Sequence, residues 1–311
     1  MTIRLDGQVA IVTGAGQGLG RAHALALAQR GASVVVNDLS DASGRSPNAE
    51  SVVAEIVKTG GKAMPHGADV ADCAQVEGMV RQAVDEWGRV DILINNAGIL
   101  RDKTFHKMSM DDFRLVIDVH LMGSAYCTKA VWEIMREQSY GRVVFTTSSS
   151  GLYGNFGQAN YGAAKMALVG LMNTLHLEGA KYNIRVNCLA PAAGTAMTDG
   201  LFPEGVYKLL SPESVSPGVV FLVGPDAPSR MILCAGGGSF AVYKGFETEG
   251  VCLLPDNLNA EGIAAASAEI GDEKDMQDFT GGFEQTTKFA RKGAAKLGID
   301  LTSQVHEGNR Q

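Results

Sequence analysis

The sequence has few of the features that mark metal-bound, disulfide-linked or secreted proteins. Its five cysteines are an odd number in 311 residues, and no two of them form a C-x-x-C pair. We therefore expect neither a disulfide framework nor a structural zinc site, and a reducing, cytoplasmic setting is favoured. The histidines show no spacing typical of metal ligands, so no metal is expected either.

Basic charge and long apolar runs are also scarce. The formal net charge of −7 argues against the basic surface that nucleic acids or anionic membranes require. No apolar run approaches the ~18 residues of a membrane span, and the N-terminus lacks the apolar core of a signal peptide. We therefore expect a small-molecule partner, with no nucleic acid and no membrane.

Glycine is abundant instead, and short apolar strands alternate with helices. The expected strands are residues 9–12, 34–36, 62–65, 92–94, 142–147 and 184–189. The expected helices are 21–30, 49–59, 76–87 and 161–182, together with one long or broken helical stretch at 111–138. Strands without polar positions that alternate with helices indicate a parallel sheet covered on both faces, in a doubly wound α/β fold. Residues 1–245 are expected to form this domain. Residues 246–311 are expected to form a C-terminal extension: a helical appendage, a dimer arm or a partly mobile tail.

A glycine-rich turn lies between the first strand and the first helix. Residues 13–20 have the pattern T-G-x-x-x-G-x-G, which offers free backbone N–H groups to a pyrophosphate at a helix N-terminus. The expected cofactor contacts there are Gly14, Gly18, Leu19 and Gly20. Asp38, after the second strand, can accept hydrogen bonds from ribose hydroxyls and would repel a 2′-phosphate, which favours NAD over NADP. The alternative is a turn and a loop carboxylate without a ligand.

Tyr161 and Lys165 are spaced i, i+4 and therefore share one helix face. A nearby ammonium favours the phenolate and lowers the tyrosine pKa from ~10, so that the tyrosine can act as general acid or base toward a carbonyl or alcohol. The spacing alone fits equally a buried tyrosine beside a solvated lysine. Ser148, at the end of an apolar strand, favours the catalytic interpretation.

These patterns occur in an order that resembles the short-chain dehydrogenase/reductase family. The glycine turn is followed by N-N-A-G at residues 95–98, then by Ser148 and by Y-x-x-x-K at residues 161–165. Residues 35–39, 96–102, 150–161 and 190–198 are most similar to the branch that forms the (3R)-hydroxyacyl-CoA dehydrogenase unit of peroxisomal multifunctional enzyme type 2. The resemblance implies a single Rossmann-like doubly wound sheet, NAD as cofactor, and a homodimer or homotetramer.

The resemblance also implies residue roles. Tyr161 would be the acid/base, Lys165 would bind the nicotinamide ribose and lower the Tyr161 pKa, and Ser148 would hold the substrate oxygen. The further cofactor contacts would be Asp69 and Val70 at the adenine, Asn96, Ala97 and Gly98 beside the ribose, and Thr195 near the carboxamide. One departure is His120, which stands where the family usually has Asn. It either serves a proton-relay water or is structural.

The sequence therefore predicts an NAD-dependent oxidoreductase that interconverts a secondary alcohol and a ketone, with (3R)-3-hydroxyacyl-CoA and 3-oxoacyl-CoA as the expected pair. Because CoA carries phosphates, at least one of Arg101, Lys103 and Lys107 is expected to meet one of them. A hydroxysteroid dehydrogenase and a 3-oxoacyl-carrier-protein reductase remain alternatives with the same site. A non-catalytic nucleotide-sensing module is the alternative from another class.

Overall fold

The computed structural model describes residues 2–194 and 203–301. Its strands are β1 (Val9–Thr13), β2 (Ser33–Asn37), β3 (Lys62–His66), β4 (Ile92–Asn95), β5 (Gly141–Thr146), β6 (Ile184–Pro191), β7 (Ile232–Gly236) and β8 (Ser239–Tyr243). They form one eight-stranded sheet in the order β3-β2-β1-β4-β5-β6-β7-β8. All neighbouring strands are parallel except β7 and β8, which are antiparallel. The predicted doubly wound α/β fold is confirmed.

Helices cover both faces of this sheet. The helices are α1 (Gly18–Gln29), α2 (Pro47–Lys58), α3 (Cys73–Trp87), α4 (Met110–Ile117), α5 (Gly123–Gln138), α6 (Ser149–Tyr153), α7 (Ala159–Gly179), α8 (Glu204–Leu209), α9 (Ser216–Val223), α10 (Ala260–Ala265), α11 (Ser267–Ile270) and α12 (Gly282–Leu297). The core on one face includes residues of α1, α2 and α9. The core on the other face includes residues of α3, α5 and α7. The strands between them are apolar on both sides because both sides are buried.

The strand order reverses between β1 and β4, which are neighbours although β2 and β3 lie between them in the sequence. In doubly wound sheets, ligands bind outside the carboxyl ends of the strands at such a point. The glycine turn follows β1, the N-N-A-G segment begins at the end of β4, and Ser148 follows β5. The topology therefore brings three separate motifs to one edge of the sheet.

The structure differs from the expected elements in several places. The stretch 111–138, expected as one long or broken helix, is divided into α4 and α5 by a π-helical turn, Asp118–Met122, which was not predicted. Helix α3 begins three residues before the predicted start, because Asp72 caps it by accepting hydrogen bonds from the backbone N–H groups of Ala74 and Gln75. The β7–β8 hairpin was not predicted. Gly237 and Gly238, both with positive φ, form its two-residue turn.

The chain divides into two compact units, Met1–Tyr243 and Lys244–Gln311. In the described part of the second unit, helix α12 is held by ion pairs, with Lys288 Nζ 3.0 Å from Glu247 Oε1 and Lys292 Nζ 2.5 Å from Glu249 Oε1. None of the helices in the two described ranges combines the length and the apolar character needed to cross a membrane. Within those ranges, no group of three or more His, Cys, Asp or Glu side chains could hold a metal ion.

Candidate active site

Glycines of the turn after β1 are packed too closely against neighbouring backbone to carry side chains. Gly14 has a φ of +60°, and a Cβ there would lie 2.8 Å from Ala97 Cα. A Cβ on Gly20 would lie 2.1 Å from the Gly14 carbonyl oxygen. Gln17 precedes α1, and its side chain makes no capping hydrogen bond. The first N–H groups of α1 thus lack a side-chain cap, as an anion-binding helix N-terminus requires.

Asp38 lies directly after β2 and reaches the glycine turn. Its Oδ2 accepts a hydrogen bond of 2.7 Å from the Gly16 N–H, and its Oδ1 accepts one of 2.9 Å from the Leu39 N–H. A Cβ on Gly16 would come within 2.6 Å of Asp38 Oδ2, so the carboxylate needs a glycine at this position. Gly16 was absent from the predicted contacts, although it is the middle glycine of the same turn.

The N-N-A-G segment is tied to the glycine turn by side-chain hydrogen bonds. Asn96 Nδ2 donates to the carbonyl oxygens of Thr13 and Gly14, at 3.0 Å each. Thr13 Oγ1 accepts from the N–H groups of Asn96 and Ala97, at 3.0 and 3.1 Å. The Asn96 side chain therefore fixes two loops to one another, and Thr13 is a second residue that the predicted contacts missed.

The other expected cofactor residues lie at the same edge or outside the described residues. Asp69 follows β3, and its Oδ1 accepts a hydrogen bond from the Ala71 N–H. Val70 is buried, and a Cβ on Gly123 would lie 2.8 Å from its Cγ2. Thr195 falls outside the described residues.

The three expected catalytic residues lie where the end of β5 meets the start of α7. Ser148 follows β5, and Tyr161 and Lys165 lie on α7. Ser148 caps α6, its Oγ accepting a hydrogen bond of 3.1 Å from the Ser150 N–H. Lys165 is buried, and its Nζ donates to the Thr146 carbonyl oxygen at 2.6 Å. The same Nζ lies 5.4 Å from the centroid of the Tyr161 ring. The end of β5 therefore holds the lysine next to the tyrosine.

Burial dominates the electrostatics of these groups. It raises the pKa of Tyr161 above its ordinary value, and the Asp102 carboxylate raises it further, while a hydrogen bond with Ser148 lowers it. Burial also lowers the pKa of Lys165 to about 7. The Tyr161 pKa is therefore raised overall, because desolvation outweighs the hydrogen bond with Ser148. The lowering expected from Lys165 stays a prediction.

His120 also lies at this site. It is buried on the π-helical turn, and its ring meets that of Tyr161 edge-on, with 5.2 Å between centroids. Its Nε2 lies 2.8 Å from the carbonyl oxygen and 3.0 Å from the backbone nitrogen of Ile99. Burial, together with the charge of Lys165, lowers the His120 pKa to about 3. His120 therefore stays neutral near pH 7 and holds the chain beyond the N-N-A-G segment.

A cavity of about 320 Å³ is lined in part by Ser149, the residue that follows Ser148 in the sequence. It is bordered by α6, by the ends of β6 and β7 and by the start of β8, and its lining is mostly apolar. The lining residues are Ser149, Leu152, Tyr153, Ala190, Pro191, Ala192, Leu210, Cys234, Ala235, Gly236, Ser239, Phe240 and Ala241. None of these residues, all within the described part of the chain, carries a charge, so this lining suits an apolar group.

The three cations that were expected to meet a CoA phosphate lie on the loop after β4. Arg101, Lys103 and Lys107 are all exposed. Asp112 lies between two of them, 3.9 Å from Arg101 Nε and 3.9 Å from Lys103 Nζ. Exposed pairs at this distance are weak, so both cations stay available to an anionic ligand.

Comparison with known sequences identifies the family. The match to the short chain dehydrogenase family covers residues 8–204, and the chain belongs to that family. It is 48% identical over 270 residues to a short-chain type dehydrogenase/reductase of Mycobacterium tuberculosis, covering 85% of this chain and 94% of the relative. It is 50% identical over 248 residues to peroxisomal multifunctional enzyme type 2 of Mus musculus, covering 78% of this chain. It spans only 32% of that relative's length.

Solved structures agree with this assignment. Full-length peroxisomal multifunctional enzyme type 2 from Drosophila melanogaster superposes with a TM-score of 0.80 at 35% identity, over 95% of this chain and 51% of that one. A 7α-hydroxysteroid dehydrogenase complexed with NADH and 7-oxo glycochenodeoxycholic acid gives a TM-score of 0.69 at 32% identity, over 76% of this chain and 95% of that one. The protein is therefore an oxidoreductase of the short-chain dehydrogenase class, and the resemblance stated from the sequence is confirmed.

Proposed function

We propose that the protein is an NAD-dependent oxidoreductase that interconverts (3R)-3-hydroxyacyl-CoA and 3-oxoacyl-CoA. The observation that carries the proposal is the arrangement of Ser148, Tyr161 and Lys165 at the carboxyl edge of the sheet, beside the point where the strand order reverses. A non-catalytic nucleotide-sensing module would not need a buried lysine next to a buried tyrosine.

The residues at the turn suit a dinucleotide. The closely packed glycines of the turn and the uncapped start of α1 fit a pyrophosphate. The half-exposed carboxylate of Asp38 fits the adenosine ribose and disfavours a 2′-phosphate. Asp69 and Val70 would flank the adenine, Asn96, Ala97 and Gly98 would border the ribose, and Thr195 would lie near the carboxamide. A bound nicotinamide supplies the hydride for ketone reduction and accepts it in alcohol oxidation.

The protein's own groups handle the substrate oxygen and its proton. The Ser148 hydroxyl holds the substrate oxygen by a hydrogen bond, and the Tyr161 hydroxyl donates its proton to that oxygen during reduction. In the oxidation direction, the Tyr161 phenolate accepts the proton from the alcohol. Lys165, held by the Thr146 carbonyl, binds the nicotinamide ribose and supplies positive charge beside the phenolate when it is protonated.

Two features support an acyl-CoA as substrate. The apolar cavity bordered by Ser149 and α6 suits an alkyl chain. The exposed cations of the loop after β4 suit the phosphates of CoA. The sequence similarity to peroxisomal multifunctional enzyme type 2 agrees with such a substrate.

The proposal is tested by following NADH oxidation with acetoacetyl-CoA, and NAD reduction with each enantiomer of 3-hydroxybutyryl-CoA. We expect turnover with the ketone and with the 3R alcohol only. Turnover of a steroid or of acetoacetyl-carrier protein in preference to the CoA ester would favour one of the alternative substrates. NADH binding without any turnover would leave the sensing module as the function.

Asp38 is expected to set the cofactor preference. In the double variant Asp38→Ala/Leu39→Arg, the carboxylate is lost and a cation is placed where a 2′-phosphate would lie. We expect the ratio of kcat/KM for NADH to that for NADPH to fall by about tenfold or more, equivalent to ~1.4 kcal/mol. The single variant Leu39→Arg, which keeps the carboxylate, should change the ratio much less. A wild-type protein that uses NADPH better than NADH would contradict the assignment.

The exposed cations are expected to contribute to CoA binding. Replacing Arg101, Lys103 and Lys107 with glutamine removes three charges but leaves the backbone of the loop in place. We expect KM for acetoacetyl-CoA to rise several-fold, because charge-assisted contacts to phosphate are lost. KM for a CoA-free β-keto ester should stay unchanged. Equal losses with both substrates, or none with either, would remove the support that these residues give to an acyl-CoA.

A further inference from the structure

The loop that follows the N-N-A-G segment is bonded to the segment that leads into α7. The Lys103 N–H donates to the Gly157 carbonyl oxygen at 2.9 Å. Asn160 Nδ2 donates to the Arg101 carbonyl oxygen at 3.1 Å, and Gln158 Nε2 donates to Asp102 Oδ2 at 2.6 Å. Three hydrogen bonds thus join three consecutive loop residues to Gly157, Gln158 and Asn160, directly before Tyr161.

Asn160 uses both ends of its amide. The side chain is completely buried, and its Oδ1 accepts a hydrogen bond of 2.8 Å from the Tyr161 N–H. The first N–H groups of a helix have no partner within the helix, so Asn160 satisfies one of them at the residue that carries the phenol. Its Nδ2 anchors the same point to the Arg101 carbonyl, which fixes the Tyr161 backbone from two directions.

Gln158 extends this contact toward Ser148. Its Oε1 accepts a hydrogen bond of 2.7 Å from the Ser150 hydroxyl. The Ser150 N–H in turn is held by Ser148 Oγ. The Gln158 amide therefore lies between the Asp102 carboxylate on one side and the turn that carries Ser148 on the other.

Charged and titratable groups on three elements act on Tyr161. Lys165 lies on the same helix, His120 on the π-helical turn, and Asp102 on the loop after β4. Of these, His120 is neutral near pH 7 and Lys165 has a pKa of about 7. Asp102 is the negative charge of the set, and its position is fixed by the bond from Gln158.

We propose that Asp102, Gln158 and Asn160 form a clamp that positions Tyr161 for proton transfer. The three are positioning residues, since none of them touches the phenol oxygen, and the inference rests on the proposed function of Tyr161. Asn160 fixes where the tyrosine backbone lies. Asp102, oriented by Gln158, supplies a negative charge that makes the phenol hold its proton more tightly.

The first test is the variant Asn160→Ala. We expect kcat to fall about 10- to 100-fold, since a misplacement of the order of 1 Å costs up to ~10²-fold, while the Kd for NADH changes less than twofold. Asn173→Ala is the matched control, because Asn173 lies on the same helix and is exposed; it should keep wild-type kcat. A folded Asn160→Ala protein with kcat within twofold of wild type would overturn the clamp.

The second test is Asp102→Asn, an exposed substitution that preserves the shape of the side chain. Removing the charge lowers the Tyr161 pKa, so the acidic limb of the pH profile of kcat for alcohol oxidation should move to lower pH. The difference from wild type should shrink at high salt, which screens an exposed carboxylate. Asp85→Asn, on the exposed surface of α3, changes the net charge equally and should leave the profile in place. An unchanged profile in Asp102→Asn would refute the electrostatic part of the clamp.

A spectroscopic titration separates a failed clamp from a failed function. The near-ultraviolet absorbance of the Tyr161 phenolate, obtained as the difference between each protein and its Tyr161→Phe counterpart, reports the pKa without turnover. A lower midpoint in Asp102→Asn supports the clamp even if the wild type reduces no ketone. Identical midpoints together with active wild-type enzyme would reject the electrostatic part of the clamp and leave the proposed function standing.

Discussion

Replacing Tyr161 with phenylalanine is expected to lower kcat for acetoacetyl-CoA reduction by about 10²–10⁴-fold, the range that general acid–base groups contribute. The ring and its edge-on contact with His120 remain, so the packing of α7 should be kept and only the transferable proton is lost. The Kd for NADH should therefore stay close to that of the wild type. Steady-state kinetics and fluorescence titration with NADH measure the two quantities.

The matched control for this variant is Tyr126→Phe on α5, which removes a hydroxyl from a half-buried tyrosine of the same domain. It should leave both kcat and the Kd for NADH unchanged. A Tyr161→Phe enzyme with near wild-type kcat would show that another group donates the proton, and the role proposed for Tyr161 would be wrong.

Replacing Lys165 with methionine is expected to abolish most activity and yet stabilise the protein. Turnover should fall roughly 10²-fold or more, as when a positioned charge is removed from an active site, and NADH affinity should fall with it. The free energy of unfolding without cofactor should rise by a few kcal/mol, because a pKa unit is worth about 1.4 kcal/mol. Loss of the bond to the Thr146 carbonyl offsets part of this gain.

The increase in the free energy of unfolding caused by Lys165→Met should become smaller as the pH rises. The pKa of Lys165 is about 7 in the fold against an ordinary value of 10.5. Below pH 7 the lysine is charged in both states, so the full cost of burying the charge is present. Between pH 7 and 10.5 the unfolded chain binds more protons, and the stability of the wild type rises with pH. The advantage of Lys165→Met should therefore be largest below pH 7 and decline toward pH 10.5.

Chemical denaturation at pH 6, 8 and 10 checks this expectation. Lys129→Met on the exposed surface of α5 is the control, because its ammonium is solvated and its loss should change neither stability nor turnover. A Lys165→Met protein that is less stable than the wild type at pH 6 would show that the bond to Thr146 outweighs the cost of burying the charge.

Local patterns were sufficient for the class of fold and for the identity of the motifs. Apolar strands between amphipathic helices require a sheet that is covered on both faces, and the glycine turn works through its backbone, which glycine alone leaves accessible. The alternation of apolar and polar residues did not predict elements that have few buried apolar side chains. The β7–β8 hairpin contains Cys234, Gly236 and two turn glycines, and its last strand is largely exposed.

The sequence by itself determined the order of the motifs, the Tyr161–Lys165 spacing and the carboxylate after β2, because each is a local property of a few neighbouring residues. The tertiary structure alone decided three further properties of the site. It placed His120 against Tyr161, it joined Asp102 to Gln158 across 56 positions, and it made burial the dominant influence on the pKa values of Tyr161 and Lys165. Desolvation and long-range hydrogen bonds depend on what surrounds a residue in space, and no spacing along the chain specifies that.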